Sequence, residues 1–337
     1  MELKNSLFAL SQLDAVGSVT DAGDKAYEIL SKYTKTEKTN NLTVIGFLKG
    51  KTDYTIMLDA HIDQVAMVVT DIDDNGFLTV TNAGGIDIRA LPSRPVTVHG
   101  KEKITAVFCS TPPHLASGEV EYKDISSIKI DTLLGEKAKE IISLGDYVTF
   151  GGNCFDLQNG LVAGRSFDDR AAVVCLLEVA KRLSQKELPC NVAFVLSDGE
   201  ELGLRGIRTA SFKVDPNEAI AVDVTFGDGA DISGDECGKL GQGGMIGIAP
   251  CLDKTVCEKL IKTAQQNNIS YQIEVMGAKT GTNADMISVN REGVKTSTLS
   301  IPIRNMHTEV ETLDIKDLQS VCDLLEQYIL SGGVKNG

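Results

Sequence analysis

A chain of 337 residues exceeds the length at which one hydrophobic core keeps growing, so two domains are expected. Its 24% charged and 42% hydrophobic residues are those of a folded globular protein and argue against long disorder. A formal net charge of −14 with no basic run disfavours nucleic acid and anionic membrane as partners, whose affinity comes from clustered Lys and Arg.

The segment Met1-Glu2-Leu3-Lys4-Asn5-Ser6-Leu7 lacks the basic stretch and apolar core of a signal peptide, and no apolar run approaches a membrane span. A cytoplasmic location is the expectation. Residues 24–33 have helical periodicity, 42–48 alternate, and 54–59 read as a buried strand running into His61. The character then changes to short β-rich runs at 65–69, 77–81, 95–99, 104–109, 127–130 and 147–150, with one helical turn near 136–142. Strands at such short spacing suggest a small barrel or sandwich inserted into the first fold. The predicted division is 65–158 for the insert, with 1–64 and 159–337 forming the catalytic domain.

Strand and helix signals alternate again from Asp168. Leu176, Val179, Ala180 and Leu183 follow the i, i+3, i+4, i+7 pattern of a helix over 169–183. Strands are predicted at 191–196, 219–224, 271–275 and 296–301, with helices at 254–264 and 315–330. The last helix is amphipathic through Leu318, Val321, Cys322, Leu325 and Ile329. This alternation implies an α/β sheet with helices on its faces. The eight cysteines show no Cys-x-x-Cys spacing and read as reduced thiols.

Two acidic pairs dominate the chemistry, Asp168-Asp169 and Glu200-Glu201. Adjacent carboxylates repel, and a divalent cation is the strongest reason for them to coexist. Asp168-Asp169 opens a helix, where carboxylates also serve as caps. Alternatively, one of them bridges two metal ions about 4 Å apart, as in a dinuclear hydrolytic site. Glu200-Glu201 follows the turn-forming Ser197-Asp198-Gly199. In extended backbone only one of the two would face a metal, leaving the other as general base; a solvated acidic turn is the plain alternative. In His61-Ile62-Asp63, Asp63 shares a face with His61 and can hold its other ring nitrogen. Asp223 interrupts the apolar Ala219-Ile220-Ala221-Val222, a costly burial that metal ligation or an Arg partner would offset. His307 lies just beyond a strand, whereas His99 and His114 lack such a setting and read as structural. Asp71-Ile72-Asp73-Asp74-Asn75-Gly76 starts like a calcium loop but has Asn82 at the twelfth position, so it reads as a hairpin turn. The glycines between Gly238 and Gly244 lack phosphate-loop spacing, and no Gly-x-Ser-x-Gly elbow exists.

The set Leu58-Asp59-Ala60-His61-Ile62-Asp63, Thr111-Pro112-Pro113-His114-Leu115, Phe167-Asp168-Asp169-Arg170, Gly199-Glu200-Glu201-Leu202-Gly203, Ala221-Val222-Asp223-Val224-Thr225 and Ile301-Pro302-Ile303-Arg304-Asn305-Met306-His307 resembles the cytosolic glutamyl/leucyl aminopeptidase family of dinuclear metallopeptidases. The resemblance implies a mixed sheet flanked by helices with an inserted small β-barrel-like domain that mediates dimerisation, the dimers assembling into dodecamers. It implies two divalent ions, Zn or Co: His61 and Asp223 on one, Glu201 and His307 on the other, and Asp168 between them. Glu200 would then be the general base and Asp63 the orienter of His61, in a reaction that removes N-terminal residues from peptides. Two departures stand out, Asn283 where many relatives have Asp and Phe226 where His is common. Rival readings are an amidase acting on N-acyl amino acids, a glycosidase, or a non-catalytic scaffold that keeps the fold.

Overall fold

The computed structural model describes residues 2–115, 122–230, 232 and 237–336. Its centre is an eight-stranded sheet in the order Lys35–Lys38, Val44–Leu48, Asn191–Ser197, Thr55–His61, Glu218–Phe226, Lys295–Ile303, Gly244–Ile248, Tyr271–Val275. The run from Asn191–Ser197 to Lys295–Ile303 is parallel, and antiparallel partners on both sides make the sheet mixed. Parallel strands buried on both faces need continuous apolar sequence. Thr55–His61 and Asn191–Ser197 are buried at every residue.

Ile56, Leu58 and Ala60 enter the larger core with the helices Leu3–Ser11, Asp21–Leu30, Phe167–Leu183 and Ile315–Leu330, while Met57 packs on the other face beside Ile207 and Ala210 of the helix Arg205–Val214. The two-residue alternation of a strand therefore sends Asp59 and His61 to the Met57 side. No helix among the described residues is long and apolar enough to cross a membrane.

The strands Ala66–Ile72, Phe77–Ala83, Ile130–Asp131, Lys103–Phe108, Pro95–His99 and Tyr147–Phe150 close into a barrel around Met67, Val80, Val98, Phe108 and Val148. The predicted strand at 127–130 begins on the last residue of a 3₁₀ turn, Ile125–Ser127, and only Ile130 is in a strand, the two-residue Ile130–Asp131. Asp73–Gly76 is a hairpin turn: the Asp73 carboxylate accepts the amides of Asn75 and Phe77 at 2.9 and 3.0 Å. The Gly241 and Gly243 amides both donate to the Asp317 carboxylate at 2.7 Å, so that turn is capped by the last helix.

A small third sheet, Phe155–Asp156, Leu161–Gly164 and Glu311–Asp314, has no counterpart in the sequence reading. Gly164 pairs with Glu311. This pairing draws the segment leading to Asp168 against the one leaving His307. Also unpredicted are the helices Leu3–Ser11 and Arg205–Val214 and the strand Gly244–Ile248.

Candidate active site

The parallel strands end side by side, and the chemistry gathers beyond their carboxyl ends, as open α/β sheets favour. His61 closes its strand and is 2% exposed. Its Nδ1 lies 3.2 Å from the Asp63 carbonyl oxygen and 3.6 Å from the Asp63 Oδ1. The expected hold of the Asp63 carboxylate on the imidazole is thus the longer of two contacts. That carboxylate is engaged elsewhere, accepting the Glu200 amide at 3.0 Å and the Glu201 amide at 3.1 Å. Asp63 therefore ties the His61 strand to the acidic turn.

The extended backbone assumed for Glu200-Glu201 is not what forms. Gly199 and Gly203 take φ of +78° and +98°, a left-handed region open to glycine, and the chain coils into a turn before Arg205–Val214. Both carboxylates consequently face one cavity of about 510 Å³, which His61, Asp168, Asp223 and His307 also line.

Asp168 and Asp169 begin the helix Phe167–Leu183 with non-helical dihedrals and a cis peptide between them. Their side chains diverge. Asp168 Oδ1 is 3.0 Å from His61 Nε2, and Asp168 Oδ2 is 3.1 Å from His307 Nε2. Asp169, fully buried, instead accepts the backbone amides of His61 at 3.2 Å and Ala172 at 3.3 Å. Asp223 Oδ1 lies 3.8 Å from His61 Nε2 and accepts the Val224 amide at 2.8 Å. No Arg pairs with Asp223 among the described residues. His307 Nε2 is 3.3 Å from Glu201 Oε1, which completes the chain of contacts. His99 bonds Thr149 in the barrel, away from this cavity, and His114 is exposed.

Glu311 escaped the sequence reading. It is 2% exposed, and its Oε2 accepts the amides of Phe167 at 2.6 Å and Asp168 at 3.1 Å, while Oε1 accepts the His307 amide at 2.7 Å. One carboxylate thereby sets the backbone under both Asp168 and His307. The only sequence signal was a glutamate between Val310 and Thr312, which also suits an exposed edge strand. The barrel contributes as well: a Cβ placed on Gly85 would lie 3.3 Å from His307 Nδ1, and one on Gly84 would lie 3.3 Å from Glu201 Oε2.

The electrostatics favour added positive charge. Burial opposes the charge on both imidazoles, yet their carboxylate partners raise His61 well above its ordinary value and lift His307 to about 11. Burial pushes Glu200 up to about 7 and raises Glu201 and Asp223 too, while hydrogen bonds from both imidazoles overcome burial to hold Asp168 low. Among the described residues, no Lys or Arg lines the cavity. His61-Asp169-Asp223, His61-Glu200-Glu201 and Asp168-Glu201-His307 each bring donor atoms within 4.8 Å, close enough to share a cation. With Nδ1 of His61 engaged by a carbonyl, its Nε2 is left to act as an electron-pair donor beside carboxylate oxygens, a combination that fits a divalent metal.

The profile of the M42 glutamyl aminopeptidase family matches residues 43–324. The chain belongs to that family. A lysyl aminopeptidase of Pyrococcus furiosus is 31% identical over 315 residues, covering 91% of this chain and 90% of that protein. An aminopeptidase of the archaeon Desulfurococcus kamchatkensis superimposes with a TM-score of 0.92 at 28% identity, covering 99% of this chain and 96% of that one. The TET1 peptidase of Pyrococcus horikoshii, which can assemble into a tetrahedron or a large octahedral shell, gives 0.86 at 28% identity over 97% and 99%. The protein is thus an aminopeptidase, a hydrolase of peptide bonds. Of the two positions singled out in the sequence as unusual, Asn283 is 2% exposed and donates to Asp59 and to Ser197, both at 2.8 Å, beneath the site. Phe226 lines the cavity itself and is 53% exposed.

Proposed function

We propose that this aminopeptidase works with two divalent metal ions, His61 and Asp223 holding one, Glu201 and His307 the other, and Asp168 shared between them. The supporting observation is the Asp168 carboxylate, whose two oxygens face the Nε2 atoms of two different histidines at 3.0 and 3.1 Å. Bound there, the ions, zinc or cobalt as the family resemblance implies and as the nitrogen and oxygen donor set accommodates, would supply Lewis acidity toward the scissile carbonyl and a lowered pKa for water.

Glu200 performs the proton transfers. Its carboxylate, pushed up to about 7 chiefly by burial, accepts a proton from the attacking water and delivers it to the leaving nitrogen as the C–N bond breaks. The new carboxyl group stays with the released amino acid, and the shortened peptide leaves as an amine. Asp63 positions this base by holding the Glu200 and Glu201 amides at 3.0 and 3.1 Å. The cavity's carboxylates also suit the positively charged amino terminus that every substrate presents. Segment 65–158, which contains the barrel, is proposed to mediate dimerisation, and the dimers to build a closed shell like those of the TET peptidases.

Glu200→Gln tests the assignment. Turnover should fall about 10²- to 10⁴-fold, the general-base contribution, while bound metal per chain stays at the wild-type level. A Gln variant that turns over at the wild-type rate would remove Glu200 from the mechanism.

A further inference from the structure

One carboxylate in the cavity takes no part in that chemistry. Glu274 lies on the edge strand Tyr271–Val275, beyond Lys295–Ile303 and Gly244–Ile248 as counted from the strand carrying Asp223. Its Oε2 accepts the Ser300 hydroxyl at 2.9 Å, and its Oε1 accepts the Thr225 hydroxyl. Ser300 is the register partner of Asp223, and Thr225 follows Asp223 on the same face of its strand. Glu274 is thus tethered beside the reacting centre and lines the same cavity. Both hydroxyls spend their protons on it, yet no cation pairs with it among the described residues. Beside it the cavity wall has apolar surface from Phe226, Val275 and Met276, with Thr280 and Thr282 also in the lining; Phe226 is 53% and Val275 72% exposed. A long side chain with a methylene stem and a charged tip matches an apolar wall that ends in a fixed carboxylate.

We propose that Glu274 is the specificity determinant for the side chain of the N-terminal residue, and that it selects lysine or arginine there. The inference rests on the reading of this cavity as the metal-dependent peptidase site. A lysyl or arginyl side chain laid along Met276 and Val275 brings its ammonium or guanidinium to Glu274, a charge-assisted contact that leucine cannot make and glutamate would oppose.

The test uses the full chain loaded with zinc or cobalt and the 4-nitroanilides of lysine, arginine, leucine and glutamate, read as ratios of kcat/KM. The wild type should favour lysine and arginine over leucine, with glutamate last. In Glu274→Gln the lysine-to-leucine ratio should fall about 10- to 100-fold, the value of one charge-assisted contact. In Glu274→Lys the glutamate-to-leucine ratio should rise. A lysine-to-leucine ratio unchanged in Glu274→Gln overturns the proposal, including an equal fall on all substrates, which would assign Glu274 to the α-amine that they share. A wild type that prefers glutamate or shows no charge selectivity overturns it also. Those results leave the catalytic reading intact as long as Glu200→Gln is inactive with its metal bound. Wild-type protein that keeps its rate in chelator would overturn the catalytic reading, and this inference with it.

Discussion

Replacing Glu311 by Gln isolates a residue that touches no reacting atom and yet fixes two that do. Its carboxylate accepts amides from Phe167 at 2.6 Å, Asp168 at 3.1 Å and His307 at 2.7 Å. A glutamine keeps the size but turns one oxygen into a donor, which must then face an N–H. Turned toward His307, it forfeits one bond; turned the other way, it forfeits the bonds from Phe167 and Asp168. The cheaper orientation leaves the His307 amide without its acceptor in a buried site, about 1–3 kcal/mol. If that loss appears as displacement of the His307 loop from Asp168, kcat/KM falls roughly 10- to 100-fold, at about 1.4 kcal/mol per tenfold. The same loss leaves a typical domain folded, since native stabilities are about 5–15 kcal/mol. The assay is kcat/KM on an aminoacyl anilide, with bound metal per chain and a urea unfolding curve on the same preparation. Wild-type kcat/KM in Glu311→Gln would refute the positioning argument.

Glu200 must be deprotonated to act, so kcat should fall as pH drops through its pKa; that value is about 7 in the protein alone and is lowered by bound cations, which places the acid limb at or below neutrality. A rate independent of pH between about 5 and 7 would count against it. Asp14, buried against Arg165 at 2.6 Å, is held below its ordinary value because the guanidinium outweighs burial. Its stabilisation is complete above the unfolded-state pKa and lost as pH falls through the lower folded one; Asp14→Asn should cost about 3–5 kcal/mol in urea denaturation at neutral pH, and near-zero change would show the pair to be dispensable. Gly85→Ala would set a methyl 3.3 Å from His307 Nδ1, so kcat/KM should drop several-fold with little change in unfolding midpoint. An active Gly85→Ala enzyme would mean that the barrel loop yields freely. Chelation should abolish hydrolysis, and zinc or cobalt should restore it; a rate indifferent to chelator would exclude the metal assignment.

The readable part of the site consisted of residues whose chemistry conflicts with their surroundings. Asp223 in an apolar strand, His61 at a strand end and two adjacent acidic pairs each violate a local expectation, and the structure brings all of them except Asp169 to one cavity. The turn at Glu200-Glu201 was misjudged because the alternation rule holds only while the backbone stays extended, and Gly199 ends that. Same-face spacing put Asp63 beside the imidazole, and its Oδ1 lies 3.6 Å from His61 Nδ1; the spacing did not reveal that the same carboxylate accepts the turn amides at 3.0 and 3.1 Å. Nothing in one sequence reports such a long-range bond.

Sequence alone determined the α/β alternation and the β-rich insert and picked out the candidate residues of the site, because periodicity, Gly and Pro punctuation and misplaced charges are local properties of the chain. Tertiary structure alone decided that Glu200 and Glu201 both face the cavity, that Glu311 underpins both Asp168 and His307, and that Glu274 shares their cavity. Those facts depend on pairing between segments far apart in the chain, such as Gly164 with Glu311, whose strands are each only four residues long. Pairs that short leave almost no periodic trace in sequence, and their register is set by the sheet and helices packed around them.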